Sequence, residues 1–186
     1  MSFYDEMEMR EMGFGFVGKN VKISRKSSYY NPARIYIDDH SRIDDFCVLS
    51  AGEGGIYIGK YVHLAVYCLL VGKGCIKMED YSGLSSRVSI YSSNDDYSGN
   101  YMTNPTVDAE FTNVCAGDVI IGKHVIVGSG SVILPNVHIA QGCAIGSLSL
   151  VNKNCEDFGI YMGVPLKRLK SRSRKLLDLE EKLKSK

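Results

Sequence analysis

The chain has 186 residues, a formal net charge of +1, and 45% hydrophobic against 23% charged residues. That size and balance suit one domain with a packed core and exclude a disordered chain or a strongly basic nucleic-acid binder. No apolar run reaches the roughly 20 residues of a membrane span.

Residues 1–16 are acidic and Met-rich, with EMEMREM inside them, and lack the basic and apolar regions of a secretory signal. A short N-terminal helical segment and a cytoplasmic setting are expected. The cysteines at 47, 68, 75, 115, 143 and 155 form no C-x-x-C pair and no zinc-finger spacing. They read as reduced, mostly buried thiols.

From residue 17 to residue 164 an aliphatic side chain recurs every sixth position. Val17 and Ile23 open the pattern; Ile37, Ile43 and Leu49 continue it, then Ile58, Leu64 and Leu70, then Met78, Leu84 and Ile90. After a break it returns as Ile121, Val127, Ile133, Ile139, Ile145 and Val151. Neither a period of 3.6 nor one of 2 alone yields an aliphatic residue at every sixth place, whereas a chain turning a corner every six residues does. Stacked coils with one inward anchor per short strand are therefore expected, rather than an ordinary antiparallel β protein. The break, at about 91–118, is polar and carries SSNDDYSGNYMTNPTVDAEFTN, a length that in a compact repeat protein points to function. Residues 165–186 hold nine Lys/Arg against three acids from Leu166 onward. Leu166, Leu169, Leu176, Leu177, Leu179 and Leu183 predict a basic amphipathic C-terminal helix there. Such a tail also suits weak contact with an anionic membrane surface.

VIIGKHVIVGSGSVILPNVHIAQGCAIGSLSLVNKN, followed by GVPLKRLK, resembles the C-terminal half of the hexapeptide-repeat acyltransferases. The likeness is to the galactoside- and maltose-type sugar O-acetyltransferases and those of polysaccharide biosynthesis clusters. It implies an all-β fold, a left-handed parallel β-helix, assembled as a homotrimer with acetyl-CoA bound between subunits as acyl donor. By position it implies that Ser129 and Ser147 lie along the pantetheine arm and that Asn152 and Lys153 meet the cofactor further on. Lys167 and Lys170 match basic residues near the nucleotide phosphates, which Lys and Arg hold through charge-assisted contacts.

The galactoside-type enzymes carry a base His in the interrupting loop. Here that place is occupied by Ser93 or Asn94 within IYSSNDDYSG, and no His lies between His63 and His124. The hexad register puts His63 and His138 outward and His40 and His124 at corners. His63 and His124 are the candidate bases, with His40 and His138 read as surface or interface groups. Asp95 and Asp96 are candidates to orient an imidazole or bind sugar hydroxyls. Asn94, Tyr97 and Lys73 are candidate acceptor contacts, the Lys suiting a negatively charged acceptor such as a nucleotide-linked sugar.

These residues support acetyl transfer to a sugar hydroxyl in surface polysaccharide synthesis. The alternative is N-acetylation of a nucleotide-linked amino sugar, favoured by the missing loop His because an amine needs less help from a base than a hydroxyl. A non-catalytic β-helix assembly module stands as the non-enzyme reading. A γ-type carbonic anhydrase is disfavoured because its paired zinc-ligand histidines are missing, and no metal site is expected.

Overall fold

One aliphatic side chain per hexad, pointing inward, forces the chain to close a triangle every three hexads. The computed structural model, which describes residues 2–185, does this as a left-handed parallel β-helix of about seven turns. The first sheet runs through Phe16–Val17, Ile35–Ile37, Ile56–Ile58, Ile76–Met78, Val119–Ile121 and Val137–Ile139. The second runs through Lys22–Ile23, Arg42–Ile43, His63–Leu64, Gly83–Leu84, Ile126–Val127 and Ala144–Ile145. The third runs through Ser28–Tyr30, Val48–Ala51, Leu69–Gly72, Ser89–Tyr91, Val132–Ile133 and Leu150–Val151. Register stacks anchor on anchor, so Ile37, Ile58, Met78, Ile121 and Ile139 form one continuous column. The anchors from Ile23 to Val151 are buried.

Corners carry the strain. His40, Tyr61, Tyr81 and His124 follow one another at the corner between the first and second sheets, all with left-handed φ of 56° to 61°. Each such non-glycine residue costs about 1–2 kcal/mol. Their rings stack nearly parallel at 4.7, 5.0 and 5.1 Å, and those contacts offset part of that cost.

The ends are covered by other structure. Helix α1 (Glu6–Glu11) starts with a capping box between Asp5 and Glu8, and its Met9 is buried against the first coils. Glu8 is paired with Arg25 of the first coil. At the other end Gly159–Met162 extends the second sheet in parallel, and Lys167–Ser171 returns antiparallel against it. Helix α2 (Leu176–Lys184) follows. The C-terminal helix is thus shorter than the leucine spacing predicts, and Lys167 and Lys170 lie on an exposed strand. The physical reason is the free edge of Gly159–Met162, whose unpaired backbone groups outweigh a weak helical pattern.

The polar insertion leaves the coil after Tyr91. Ser93–Asn94 pairs antiparallel with Cys115–Ala116, so the loop departs and returns at one point. Among the described residues no helix is long and apolar enough to cross a membrane.

Candidate active site

Leu64 is fully buried, so strand periodicity turns its neighbour His63 outward onto the second sheet. One coil below, Ile43 is likewise buried and Asp44 follows it on the same sheet. The Asp44 side chain is only 7% exposed, yet its two oxygens are both engaged. Oδ1 accepts from Arg42 Nε at 2.6 Å, and Oδ2 lies 2.9 Å from His63 Nε2. A buried carboxylate against one ring nitrogen fixes the orientation of an imidazole.

A cleft of about 310 Å³ opens beside this pair. His63 and Ala65 come from one coil, Gly83, Ser85 and Ser86 from the next, and Ile126 and Ser129 from the third. Ser86, Ser129 and Ser147 climb one corner in consecutive coils, because Gly130 N–H donates to Ser86 O and Leu148 N–H to Ser129 O. His63 and Ser129 therefore share one cleft, and exposed Ser147 continues the line one coil higher. Lys167 and Lys170 lie at the C-terminal end of the sheet that carries His63. Asn152 and Lys153 are exposed at a different corner, after the third-sheet strand. Larger hollows of about 580 and 420 Å³ elsewhere hold none of the candidate residues.

The second candidate base has a different environment. His124 is the last ring of the corner stack, and its Nε2 lies 2.7 Å from Glu180 Oε2 on α2. Glu180 also receives Lys123 and Lys184, at 2.5 and 2.7 Å. Desolvation alone would raise the Glu180 carboxyl, but these donors outweigh it and hold its pKa at about 2. This geometry makes His124 a docking point for the tail helix.

The insertion gathers the remaining candidates into a separate group. Asp96 accepts from Ser98 N–H at 2.7 Å and from Asn113 Nδ2 at 2.9 Å, contacts that lower its pKa and shape the loop. The Asn94 amide donates to Asp95 O, and Tyr97 is 89% exposed. Lys73 reaches the base of the loop, its N–H donating to Ser93 Oγ at 3.1 Å, while its ammonium lies 3.8 Å from Glu53. None of these lines the His63 cleft.

Asp44, Ser85 and Glu180 were not singled out by sequence reasoning. The first two carry a signal in the register, since each directly follows an anchor on the sheet of His63. Glu180 carries none, because α2 lies outside the repeat.

No family model matches the chain. It is 56% identical over 180 residues to the dTDP-4-amino-4,6-dideoxy-D-glucose acyltransferase of Escherichia coli, covering 97% of this chain and 94% of that enzyme. The fold superimposes on AntD, an N-acyltransferase from Bacillus cereus, solved with dTDP and 3-hydroxybutyryl-CoA. That match has a TM-score of 0.94 at 47% identity and covers 99% of this chain and 97% of that one. A serine variant of AntD, solved with dTDP-4-amino-4,6-dideoxyglucose and coenzyme A, gives a TM-score of 0.93 at 46% identity over 100% and 99%. Galactoside acetyltransferase, at 17% identity and a TM-score of 0.61, shares the fold alone. A relative matched end to end at this identity, on this solenoid, places the chain in the hexapeptide-repeat acyltransferase family, and it is an acyltransferase.

Proposed function

We propose that the chain moves an acyl group from an acyl-CoA thioester to the 4-amino group of a dTDP-linked 4-amino-4,6-dideoxy sugar. The near-complete match to an enzyme of that activity carries the reading. It puts the amine acceptor ahead of the hydroxyl acceptor that the galactoside-type resemblance implies, since those enzymes are similar in fold only. Acetyl is the expected acyl group, and the product would serve surface-glycan assembly.

The chemistry asks little of the protein. The sugar ammonium must lose a proton, the amine then attacks the thioester carbonyl, and the tetrahedral intermediate expels the coenzyme A thiolate, which takes up the second proton that the nitrogen gives up as the amide forms. His63, held through Nε2 by Asp44, is the group suited to receive the amine proton. Backbone N–H groups and the hydroxyls of Ser85 and Ser129 along the cleft are suited to the developing oxyanion. Ser129 and Ser147 would follow the pantetheine arm, with Lys167 and Lys170 toward the phosphates. The proposed assembly is a homotrimer, in which a neighbouring subunit's insertion, with Asn94, Asp95 and Tyr97, closes over the cleft and meets the nucleotide sugar.

Purified protein incubated with acetyl-CoA and dTDP-4-amino-4,6-dideoxyglucose should yield the N-acetyl product by mass spectrometry, with galactosides and maltose inert. Acetylation of the simple sugars but not the nucleotide sugar would overturn the reading.

A further inference from the structure

Gly83 has no reason within the chain to be a glycine. Of the 19 glycines, every other one either has a left-handed φ or would bring an added Cβ within 3.0 Å of a neighbouring atom. Gly83 has neither constraint, and a Cβ there would meet only His63 O, at an ordinary 3.6 Å. Glycine inside a strand is otherwise unfavourable, because it gives up backbone entropy and side-chain packing. Gly83 pairs with His63 on one side and Ile126 on the other, so the missing side chain leaves a notch between an imidazole and an exposed isoleucine.

The lining says what the notch holds. Beside Gly83 its apolar side chains are Ala65 and Ile126, its polar ones are His63, Ser85, Ser86 and Ser129, and no Lys or Arg borders it. A pyrophosphate would leave its charge uncompensated there, whereas a short acyl chain can lie against Ala65, Gly83 and Ile126 with its carbonyl toward the serines. The notch lies directly beside the group proposed to take the amine proton, where the acyl carbon must react.

We propose that Gly83 sets the acyl size this enzyme transfers, its bare backbone forming the floor on which the acyl chain lies. The inference rests on the acyltransferase reading above and adds the residue that selects among donors.

The test compares wild type with Gly83→Ala and Gly83→Val on acetyl-CoA, butyryl-CoA and 3-hydroxybutyryl-CoA. Gly83→Ala should keep or raise the thermal midpoint. It should also lower the ratio of four-carbon to two-carbon kcat/KM by about 10–200-fold, the scale of one methylene in an apolar site. Gly83→Val should extend the loss to acetyl. An unchanged ratio, or an equal loss for all donors with a raised KM for the sugar, would overturn the proposal. So would a drop of several degrees in thermal midpoint, which would show that the glycine serves the fold. If wild type acylates no amino sugar, the acceptor reading fails by itself. Calorimetric affinity of Gly83→Ala for butyryl-CoA relative to coenzyme A then still decides the role of Gly83: selective loss supports it, parallel change refutes it.

Discussion

Asp44 meets His63 across 19 residues of sequence but only one coil of the solenoid. Its nearly buried side chain is satisfied by Arg42 on one oxygen and the imidazole on the other, so neither contact can be removed without exposing the other group to a changed field. Asp44→Asn conserves shape but puts an amide where a carboxylate oxygen held the ring nitrogen. Turnover should fall by about 10²–10⁴-fold, as when a positioned base is lost, with KM for acyl-CoA nearly unchanged. His63→Ala should cost about as much, and the double variant little more, because the two act as a unit. Full additivity in steady-state kinetics would show that they do not. The hexad register places His63 outward beside a buried anchor, but it does the same for His138, and only the resemblance of the stretch around His63 to the acyltransferases separates the two. Asp44 carries a register signal, directly after the anchor Ile43, but its approach to His63 shows only once coils are placed on one another.

At the scale of elements, Glu180 ties α2 to the solenoid. Glu180 gathers Lys123, His124 and Lys184, and Arg172 secures the preceding segment through the carbonyls of His124, Gly142 and Cys143. Glu180→Gln should cost about 1–3 kcal/mol, the loss of charge-assisted bonds at a buried site. At about 2–4 °C per kcal/mol that is a fall of several degrees in thermal midpoint near neutral pH. The ordinary carboxyl value is 4.5 and the folded value about 2. Its stabilising effect is therefore complete above about 4.5 and disappears as pH falls toward 2. Midpoints of wild type and Glu180→Gln should converge across that window; a gap independent of pH would contradict the assignment. The tail was the least legible part of the sequence. Leu166 and Leu169 fit a helical stripe, yet Leu166 is buried beside the last coil and Leu169 lies exposed on a strand. A sheet edge made by residues 159–162 decided their conformation, and nothing local announces it.

For the molecule as a whole, stability adds up coil by coil, since each turn touches only its neighbours. The insertion adds no inward anchor, and its two ends meet at the Ser93–Asn94 and Cys115–Ala116 ladder. Replacing residues 97–113 with a two-glycine turn should therefore leave the thermal midpoint within a few degrees while abolishing acylation of the nucleotide sugar. A collapse of the fold would show that the loop is structural. The solenoid was legible because six-residue spacing is a demand of geometry, and the inward anchors Ile121, Val127, Ile133, Ile139, Ile145 and Val151, two on each sheet, are buried as that spacing requires. The site was only half legible, because its candidates split between the cleft and a loop that does not line it.

A stack of identical parallel strands has no built-in stopping point: its last coil offers the same backbone edge as every coil before it. In this chain Lys167–Ser171 runs against the grain of the sheet and presents Lys167, Arg168 and Lys170 to solvent, while α1 lies over the first coils. A reversed, positively charged strand is a poor template for another molecule's parallel edge. A chain ending at Gly163 would expose the edge of Gly159–Met162, and pairing of that edge between molecules should follow, rising with concentration and visible by light scattering. The intact chain should stay dispersed under the same conditions. The strand proposed to neighbour coenzyme phosphates would then also be the device that keeps this solenoid finite.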